Sequence, residues 1–406
     1  MAFFSPKSGG SLKVMPIFGT RPEAIKMAPV VRILEEDPRF RPVTVVTAQH
    51  REMLDQVLAV FGLEPAYDLD LMRPGQTLTE VTCRVLAGLE EVIRVEEPDL
   101  VLVHGDTTTT FAAGLAAFYH RLPVGHVEAG LRTGNRYQPF PEEMNRRLTG
   151  ALAEMHFAPT EQAAANLLAE GIPAERIFIT GNTVVDALHR CLSVLEARGI
   201  RGPRSVDSAR PYLLVTVHRR ENWGERLTGI CRALARLLDE FDSYELVMPV
   251  HLNPLVQRTV RGILGGVRGV HLLPPVDYEE MVLLMKEAHL VLTDSGGIQE
   301  EAPALGKPVL VLRETTERPE AVAAGTVALA GTGEDGVYAA AKRLLTDEGL
   351  YNRMARAVNP YGDGRAAIRI RDALLYSFGL SATRPESFAV SAFGDGSRAN
   401  VPSWEC

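Results

Sequence analysis

The chain has 406 residues, 46% hydrophobic and 23% charged, an ordinary globular composition. At about 150 residues per domain, this length excludes one small domain and predicts two or three. Forty-three Lys and Arg against 51 Asp and Glu leave a formal charge of −8, which argues against broad, salt-driven binding to nucleic acid or anionic lipid but allows local basic pockets.

From Leu12 onward, short β-branched runs alternate with longer helical patterns, the signature of parallel strands joined by crossover helices. The spacing predicts strands at 12–18, 43–47, 100–103, 124–127, 155–158 and 177–180, with helices at 24–34, 53–61, 78–95 and 108–119. The strand runs are almost continuously apolar, as expected where both faces of a sheet are covered. Residues 197–211 turn to Gly, Pro, Ser and Arg and predict a surface connection. Strands are then expected at 212–217, 245–250, 270–273, 290–293, 309–312 and 327–330. The expected fold is α/β: two Rossmann-like doubly wound domains facing across a cleft. Residues 1–10 and 381–406 lack periodicity and are expected to pack loosely. Cys83, Cys191, Cys231 and Cys406 lie far apart, and no apolar run reaches the roughly 18 residues of a membrane span, so a reducing, cytoplasmic setting is expected.

Open α/β sheets bind ligands beyond the carboxyl ends of their strands, where the chemistry-bearing residues fall. The first strand runs into Gly19-Thr20-Arg21-Pro22-Glu23 and a helix carrying Lys26. Such a turn can face an anion with its backbone N–H groups, helped by Arg21 and Lys26, or it can be a plain strand-to-helix turn with Pro22 at the helix start. Asp106 follows an apolar strand and precedes four threonines; Glu128 ends Val124-Gly125-His126-Val127; Glu142 stands in the Pro-flanked loop Pro139-Phe140-Pro141-Glu142-Glu143. Asp106 alone reads equally as a helix cap and Glu142 as a first-turn acid. A carboxylate ending an apolar strand, however, is costly to bury without a partner or substrate.

In the second half a strand delivers His218, Arg219 and Arg220, and a histidine there can be an acid, a base or a diphosphate donor. His251, ending the next strand, reads equally as a structural turn histidine. Thr293-Asp294-Ser295-Gly296-Gly297 joins a strand to a helix with several N–H donors, the sharpest phosphate signal in the chain. Glu301 on that helix suits the paired hydroxyls of a ribose, and Arg318 adds a cation. No His and Cys spacing fits zinc, and H-E-x-x-H and G-x-S-x-G are missing, so no metal, serine nucleophile or cofactor is expected.

Together, GTRPEAIKMAPV, VHGDTTTT, GHVEAGLRTG, PFPEEMNR, ITGNTVVDAL, VHRRENWG, PVHLNP and LTDSGGIQEEAPALGKPVLVLRETTERPEAV resemble the non-hydrolysing UDP-N-acetylglucosamine 2-epimerases, in the family's order from about Lys13 to Phe378. The resemblance implies a fold like that of the two-domain glycosyltransferases and phosphorylases called GT-B, a homodimer, and reversible conversion of UDP-N-acetylglucosamine to UDP-N-acetylmannosamine. It implies a first domain of residues 11–182, completed by a returning helix within 361–380, a UDP-binding domain of residues 183–360 and a polar tail, 381–406. Carried over position by position, Asp106, Glu128 and Glu142 are the implied catalytic carboxylates and His218 a donor to the diphosphate or the departing oxygen. Arg21, Lys26 and Arg146 match positions near the diphosphate or sugar, Ser295, Gly296 and Gly297 a β-phosphate loop, Glu301 the ribose position and Arg318 a substrate-binding arginine. Val276 and Met281 fall where uracil contacts are expected, with Met281 at a position that can be aromatic in relatives. Gln49, Arg73 and Arg219 fall where some relatives bind a second, allosteric UDP-N-acetylglucosamine. Glu52 stands where activated relatives can carry an uncharged amide, and a carboxylate beside a diphosphate is unfavourable.

The implied chemistry makes sense of these residue types. The C2 proton is not adjacent to a carbonyl, so loss of UDP from C1 must first acidify it, giving a glycal to which UDP adds back. Protonation then occurs on the opposite face of C2, and two faces call for two acid–base groups. A hydrolysing 2-epimerase would release free N-acetylmannosamine, a GT-B glycosyltransferase would need an acceptor, and a UDP-sugar sensor would need no catalytic carboxylates. The expected product supplies N-acetylmannosamine for surface polysaccharide, and no nucleic-acid or membrane partner is expected.

Overall fold

Apolar runs covered on both faces become parallel strands in the computed structural model, which describes residues 3–6, 10–47, 51–73, 75–206 and 210–389, side chains 51–53 excepted. The chain divides into two compact units, the first of Met1–Cys191 with Tyr361–Ala389 and the second containing Leu192–Pro360. The first unit contains β1 (Leu12–Phe18), α1 (Arg21–Glu35), β2 (Phe40–Pro42), β3 (Val45–Val46), α2 (Arg51–Phe61), β4 (Tyr67–Asp68), α3 (Leu78–Glu96), β5 (Leu100–His104), α4 (Thr108–Tyr119), β6 (Val124–Val127), α5 (Glu142–Leu152), β7 (Met155–Ala158), α6 (Glu161–Ala169), β8 (Ile177–Ile179) and the start of α7 (Thr183–Ala197). Its parallel sheet has the order β4-β3-β1-β5-β6-β7-β8, with β2 also paired to β1.

The second unit contains β9 (Tyr212–Thr216), α8 (Glu225–Glu240), β10 (Glu245–Pro249), α9 (Pro254–Leu264), β11 (Val270–Leu273), α10 (Tyr278–Glu287), β12 (Leu290–Thr293), α11 (Ile298–Ala304), β13 (Val309–Val311), α12 (Pro319–Ala323), β14 (Val327–Leu329), α13 (Glu334–Thr346) and α14 (Glu348–Arg356), with parallel strand order β11-β10-β9-β12-β13-β14. The chain then returns to the first unit as α15 (Ala366–Ser377), which packs on α1.

Each sheet is held by its own core. Met15, Ile17, Val101 and Val103 meet α3 and α4 through Val85, Leu89 and Ala113. In the second unit α8 buries Leu227, Ile230, Cys231, Leu234, Leu237 and Leu238, a three- and four-residue spacing that gives one continuous face toward Leu213, Val215 and Leu292. Each such leucine contributes about 1.5–3 kcal/mol by leaving water. No helix among the described residues is long and apolar enough to cross a membrane.

The strand expected at 43–47 is shorter, Val45–Val46, and a separate strand, Phe40–Pro42, precedes it. Leu12–Val14 pair with Phe40–Pro42 and Ile17–Phe18 with Val45–Val46, and Pro16 and Pro42, lacking N–H donors, sit where the pairing breaks. The division between units falls after Cys191, within α7, rather than ahead of Thr183. Parts of the ends expected to be loose are packed among the described residues. The rings of Phe3 and Phe4 meet Tyr376 and Phe378, Phe388 is buried with its N–H on Ile179 O, and Arg384 stacks on Phe178 while donating to the carbonyls of residues 174, 175 and 177. Each end carries aromatics or an arginine that an edge strand and a helix end can cover, a pairing that local periodicity does not encode. Residues 390–406 of the expected tail, Cys406 included, lie outside the described residues.

The return of the chain is fastened at Asp186 on α7, whose Oδ2 accepts from Ala366 N at 3.2 Å and whose Oδ1 accepts from Ala367 N at 2.9 Å. Burial pushes its carboxyl up to about 6 despite those donors. A carboxyl whose folded value is raised adds stability below its unfolded value near 3.8, and that stability is lost as pH rises through about 6. Asp186→Asn cannot titrate. Its stability relative to the parent, read by urea unfolding, is therefore expected to improve between pH 4 and pH 8, by at most about 3 kcal/mol. A difference that does not vary with pH would show that Asp186 is not the group responsible.

Candidate active site

Strand order reverses between β1 and β5 in the first sheet and between β9 and β12 in the second, and the candidate residues cluster at the carboxyl ends of these strands and their neighbours. In the first unit β1 passes through Gly19 into Thr20, the cap of α1. Only glycine fits there, because a Cβ would lie 2.1 Å from Thr47 Oγ1. Of the two readings of this turn, the plain strand-to-helix turn is the one seen, since its N–H groups are already taken. Glu23 Oε2 accepts from Gly19 N at 3.0 Å and Thr20 N at 2.7 Å, while Oε1 accepts from the hydroxyls of Thr107 and Thr110 at 2.6 and 2.9 Å. A capping-box glutamate three residues past the cap reaches back and fills the position itself. Arg21 opens the same helix, half-buried.

Lys26 lies one turn further on α1. Its Nζ is 2.5 Å from Glu128 Oε2, and His104 Nε2 is 2.8 Å from the same oxygen. Glu128 follows β6 with φ of 62°, a left-handed backbone that costs a non-glycine residue about 1–3 kcal/mol and persists where surrounding structure over-determines it. On the neighbouring strand, Asp106 lies just past the end of β5. Its Oδ2 pairs with Arg146 Nη2 at 2.5 Å, and its backbone carbonyl accepts from Asn145 Nδ2 at 2.9 Å. Asp106 is not the helix cap, since Thr107 fills that role through Thr110 N. Glu142 begins α5, and its Oε2 is buried with no hydrogen-bond partner among the described residues. Glu143 beside it is the structural acid, fully buried, accepting from Thr133 N and Gly134 N and pairing with Arg146 and Arg147. His126 Nε2 donates to Gly105 O at 2.7 Å and steadies the turn into Asp106; burial pushes this imidazole down to about 3, so it stays neutral.

The second unit builds a different chemistry. Asp294, fully buried past β12, accepts from His218 N, Arg219 N and Asn222 Nδ2 at 3.1, 2.9 and 2.9 Å, and its Oδ1 is 3.0 Å from His218 Nδ1. Burial alone would raise its carboxyl, but the donors around it, His218 foremost, hold it below the ordinary value. With Nδ1 engaged, the half-exposed imidazole has Nε2 left for a ligand. Beyond Asp294, the N–H of Ser295 is taken by Thr293 Oγ1, whereas those of Gly296 and Gly297 meet no acceptor among the described residues. Arg318 and Arg219 flank this loop, their Nη2 atoms 3.6 and 3.8 Å from where a Gly296 Cβ would stand. Arg318 Nε is held by Glu300 at 2.5 Å, and Arg219 by Glu317 at 2.9 Å. Glu317 falls to about 2: burial opposes this, and the guanidinium groups of Arg219, Arg318 and Arg313 outweigh it.

Glu301 Oε1 accepts from Tyr278 OH at 3.1 Å, fixing the carboxylate expected at the ribose. Tyr278 lies between half-buried Val276 and Met281, while the acids of the same segment are already committed: Glu279 to Arg198, and Glu280 to Arg204 and Ser205. Those contacts pin the expected surface connection to α10. Of the residues expected at a second nucleotide site, Arg73 is exposed after β4 and Arg219 sits on the glycine loop, while Gln49 and the Glu52 side chain lie outside the described residues.

Glu23, His104, His126, Tyr278, Asp294 and Glu317 were not singled out from sequence. A histidine inside an apolar strand run was a usable signal for His104 and His126, because a buried polar side chain demands a partner. Glu317 offered less: Arg313 and Arg318 share its loop, but Arg219, which it holds at 2.9 Å, comes from beyond β9, 98 residues away.

A family model described as UDP-N-acetylglucosamine 2-epimerase matches residues 32–375. The chain is 58% identical over 369 residues to the UDP-N-acetylglucosamine 2-epimerase of Salmonella typhimurium, covering 89% of this chain and 98% of the relative. It is 52% identical over 377 residues to that of Bacillus subtilis, covering 93% and 98%. The structure of the Neisseria meningitidis UDP-GlcNAc 2-epimerase bound to UDP-GlcNAc superposes with a TM-score of 0.84 at 49% identity, covering 90% of this chain and all of that one.

Proposed function

The chain belongs to the UDP-N-acetylglucosamine 2-epimerase family, and from that premise we propose that it binds UDP-N-acetylglucosamine and inverts C2 through a glycal. The observation that carries the mechanism is the pair of carboxylates on neighbouring strand ends, each tied to its own cation: Asp106 to Arg146 and Glu128 to Lys26. The loop of Gly296 and Gly297, with Arg318 and His218, takes the diphosphate through N–H groups and positive charge. Glu301, oriented by Tyr278, accepts from the ribose hydroxyls.

As the C1–O bond breaks, its electrons leave with UDP and positive charge grows at C1. The C2 proton passes to one carboxylate, its bonding electrons form the C1–C2 double bond, and the glycal results. A second protonated acid gives its proton to the other face of C2, and UDP re-forms the bond to C1. The buried, unpartnered Oε2 of Glu142 supplies an acceptor for a sugar hydroxyl or amide, or a third acid–base group. Membership of the family also supports a homodimer, a cytoplasmic location and supply of N-acetylmannosamine to surface polysaccharide.

Incubation with UDP-N-acetylglucosamine in deuterated water is expected to yield UDP-N-acetylmannosamine carrying deuterium at C2. Unlabelled product, or no interconversion from either epimer, would sink the mechanism. Free N-acetylmannosamine in place of the nucleotide sugar would identify hydrolysis instead.

A further inference from the structure

We propose that His104 is a positioning residue for Glu128, aiming its carboxylate and holding it in the ionised form between turnovers. The inference rests on the epimerase reading and on Glu128 as one of its acid–base groups. His104 ends β5 and is 3% exposed, so its imidazole must find its partners inside the protein. Its Nε2 stands 2.8 Å from Glu128 Oε2 but is not aligned for a hydrogen bond to it, and neither ring nitrogen has a hydrogen-bond partner among the described residues. Hydrogen bonds of this kind often align only when substrate closes the site. Glu128 itself is held in a left-handed backbone at φ 62°, so the direction of its carboxylate is set by its partners rather than by relaxed rotamer choice.

The other charged and titratable groups here are Lys26 from α1, on the same Glu128 oxygen, and Glu23 from α1, which shares the Thr110 hydroxyl with the His104 carbonyl. His126 from β6 is kept neutral by burial, and Asp106 is paired with Arg146 from α5. Lys26 supplies charge but is a single point donor on a flexible stem, which neutralises without fixing direction. A planar ring, buried at the end of β5, is rigid enough to supply the direction. A donor at Nε2 also favours the ionised carboxylate, the form that must be restored before Glu128 can accept another proton.

The test compares His104→Gln, whose terminal amide reaches the place of Nε2, with His104→Asn, whose amide stops short of it. Each is read by C2 deuterium exchange, by the kcat/KM pH profile and by thermal unfolding. His104→Gln is expected within about threefold of the parent with its acid limb in place; His104→Asn is expected about 10- to 100-fold slower in kcat, with little change in KM and the acid limb moved to higher pH. Added to Glu128→Gln, either change should cost almost nothing further. Equal loss in both variants with an unmoved limb would mean a merely structural role and overturn the proposal. Should His104→Asn not fold, His104→Gln alone decides: folded and as slow as Glu128→Gln overturns it, near-parental turnover supports it. Absence of exchange in the parent enzyme would instead defeat the epimerase mechanism, so the two failures are distinguishable.

Discussion

Asp106→Asn and Glu128→Gln are each expected to lower kcat by about 10²- to 10⁴-fold, the range for removal of a positioned acid or base, while UDP affinity stays within a few-fold. The separation follows from where the groups stand. The two carboxylates belong to the first unit and pair with Arg146 and Lys26, whereas the glycine loop, Arg318, Tyr278 and Glu301 belong to the second. An amide keeps the shape of each side chain but can neither take nor give the C2 proton. It also removes the negative charge that Arg146 or Lys26 pairs with, so a rise in KM smaller than the fall in kcat is expected from weakened sugar placement. Glu142→Gln should follow if Glu142 acts as an acid–base group, and should act mainly on KM if its buried Oε2 only accepts from the sugar. Steady-state kinetics beside calorimetric UDP titration check this. Parallel loss of UDP binding and turnover in the Asp106 and Glu128 variants would reassign those residues to structure.

Asp294→Asn is expected to damage both stability and turnover. The carboxylate is fully buried and accepts from two backbone N–H groups, Asn222 and His218. An amide turns one acceptor into a donor facing donors, and breaking such a buried charged network costs on the order of 3–5 kcal/mol. Without the carboxylate, His218 also loses the partner that fixes its tautomer, so kcat should fall even where the protein still folds. The linkage has a definite sign. The folded value of Asp294 lies below 3.8, so its stabilisation is present above that pH and disappears as pH falls through the lower folded value. Acid unfolding of the parent should therefore contain a step that Asp294→Asn lacks. Thermal and acid unfolding with kcat for both proteins would expose the error if the variant proved as stable and as fast as the parent.

Much of this protein is legible from short-range pattern. The strands of the second sheet, the covered helices and the placement of Asp106, Glu128, His218 and Ser295 at strand ends follow from near-continuous apolar runs and from glycine where the chain must turn. The resemblance carried by those motifs agrees with the family match over residues 32–375. Failures occur where partners are distant in sequence. The Gly19 turn reads either as an anion site or as a plain turn, and what decides it is Glu23, which fills it with help from Thr107 and Thr110, more than eighty residues away. The contact of Arg219 with Glu317, 98 residues further on, which sets it beside Gly296, is likewise invisible to local pattern.

Local pattern therefore settles the α/β class and the ends of strands at which chemistry gathers, because apolar periodicity and turn residues act over one or two turns of chain; the family rests on the resemblance of the motifs. Tertiary structure alone decided which charge meets which. Lys26 meets Glu128, Arg146 meets Asp106, Asp294 takes His218, and His104 joins Glu128 from the neighbouring strand. A buried charge accepts whichever partner the fold brings within about 3 Å, and that choice is made by strand order and crossover geometry rather than by neighbours in the chain.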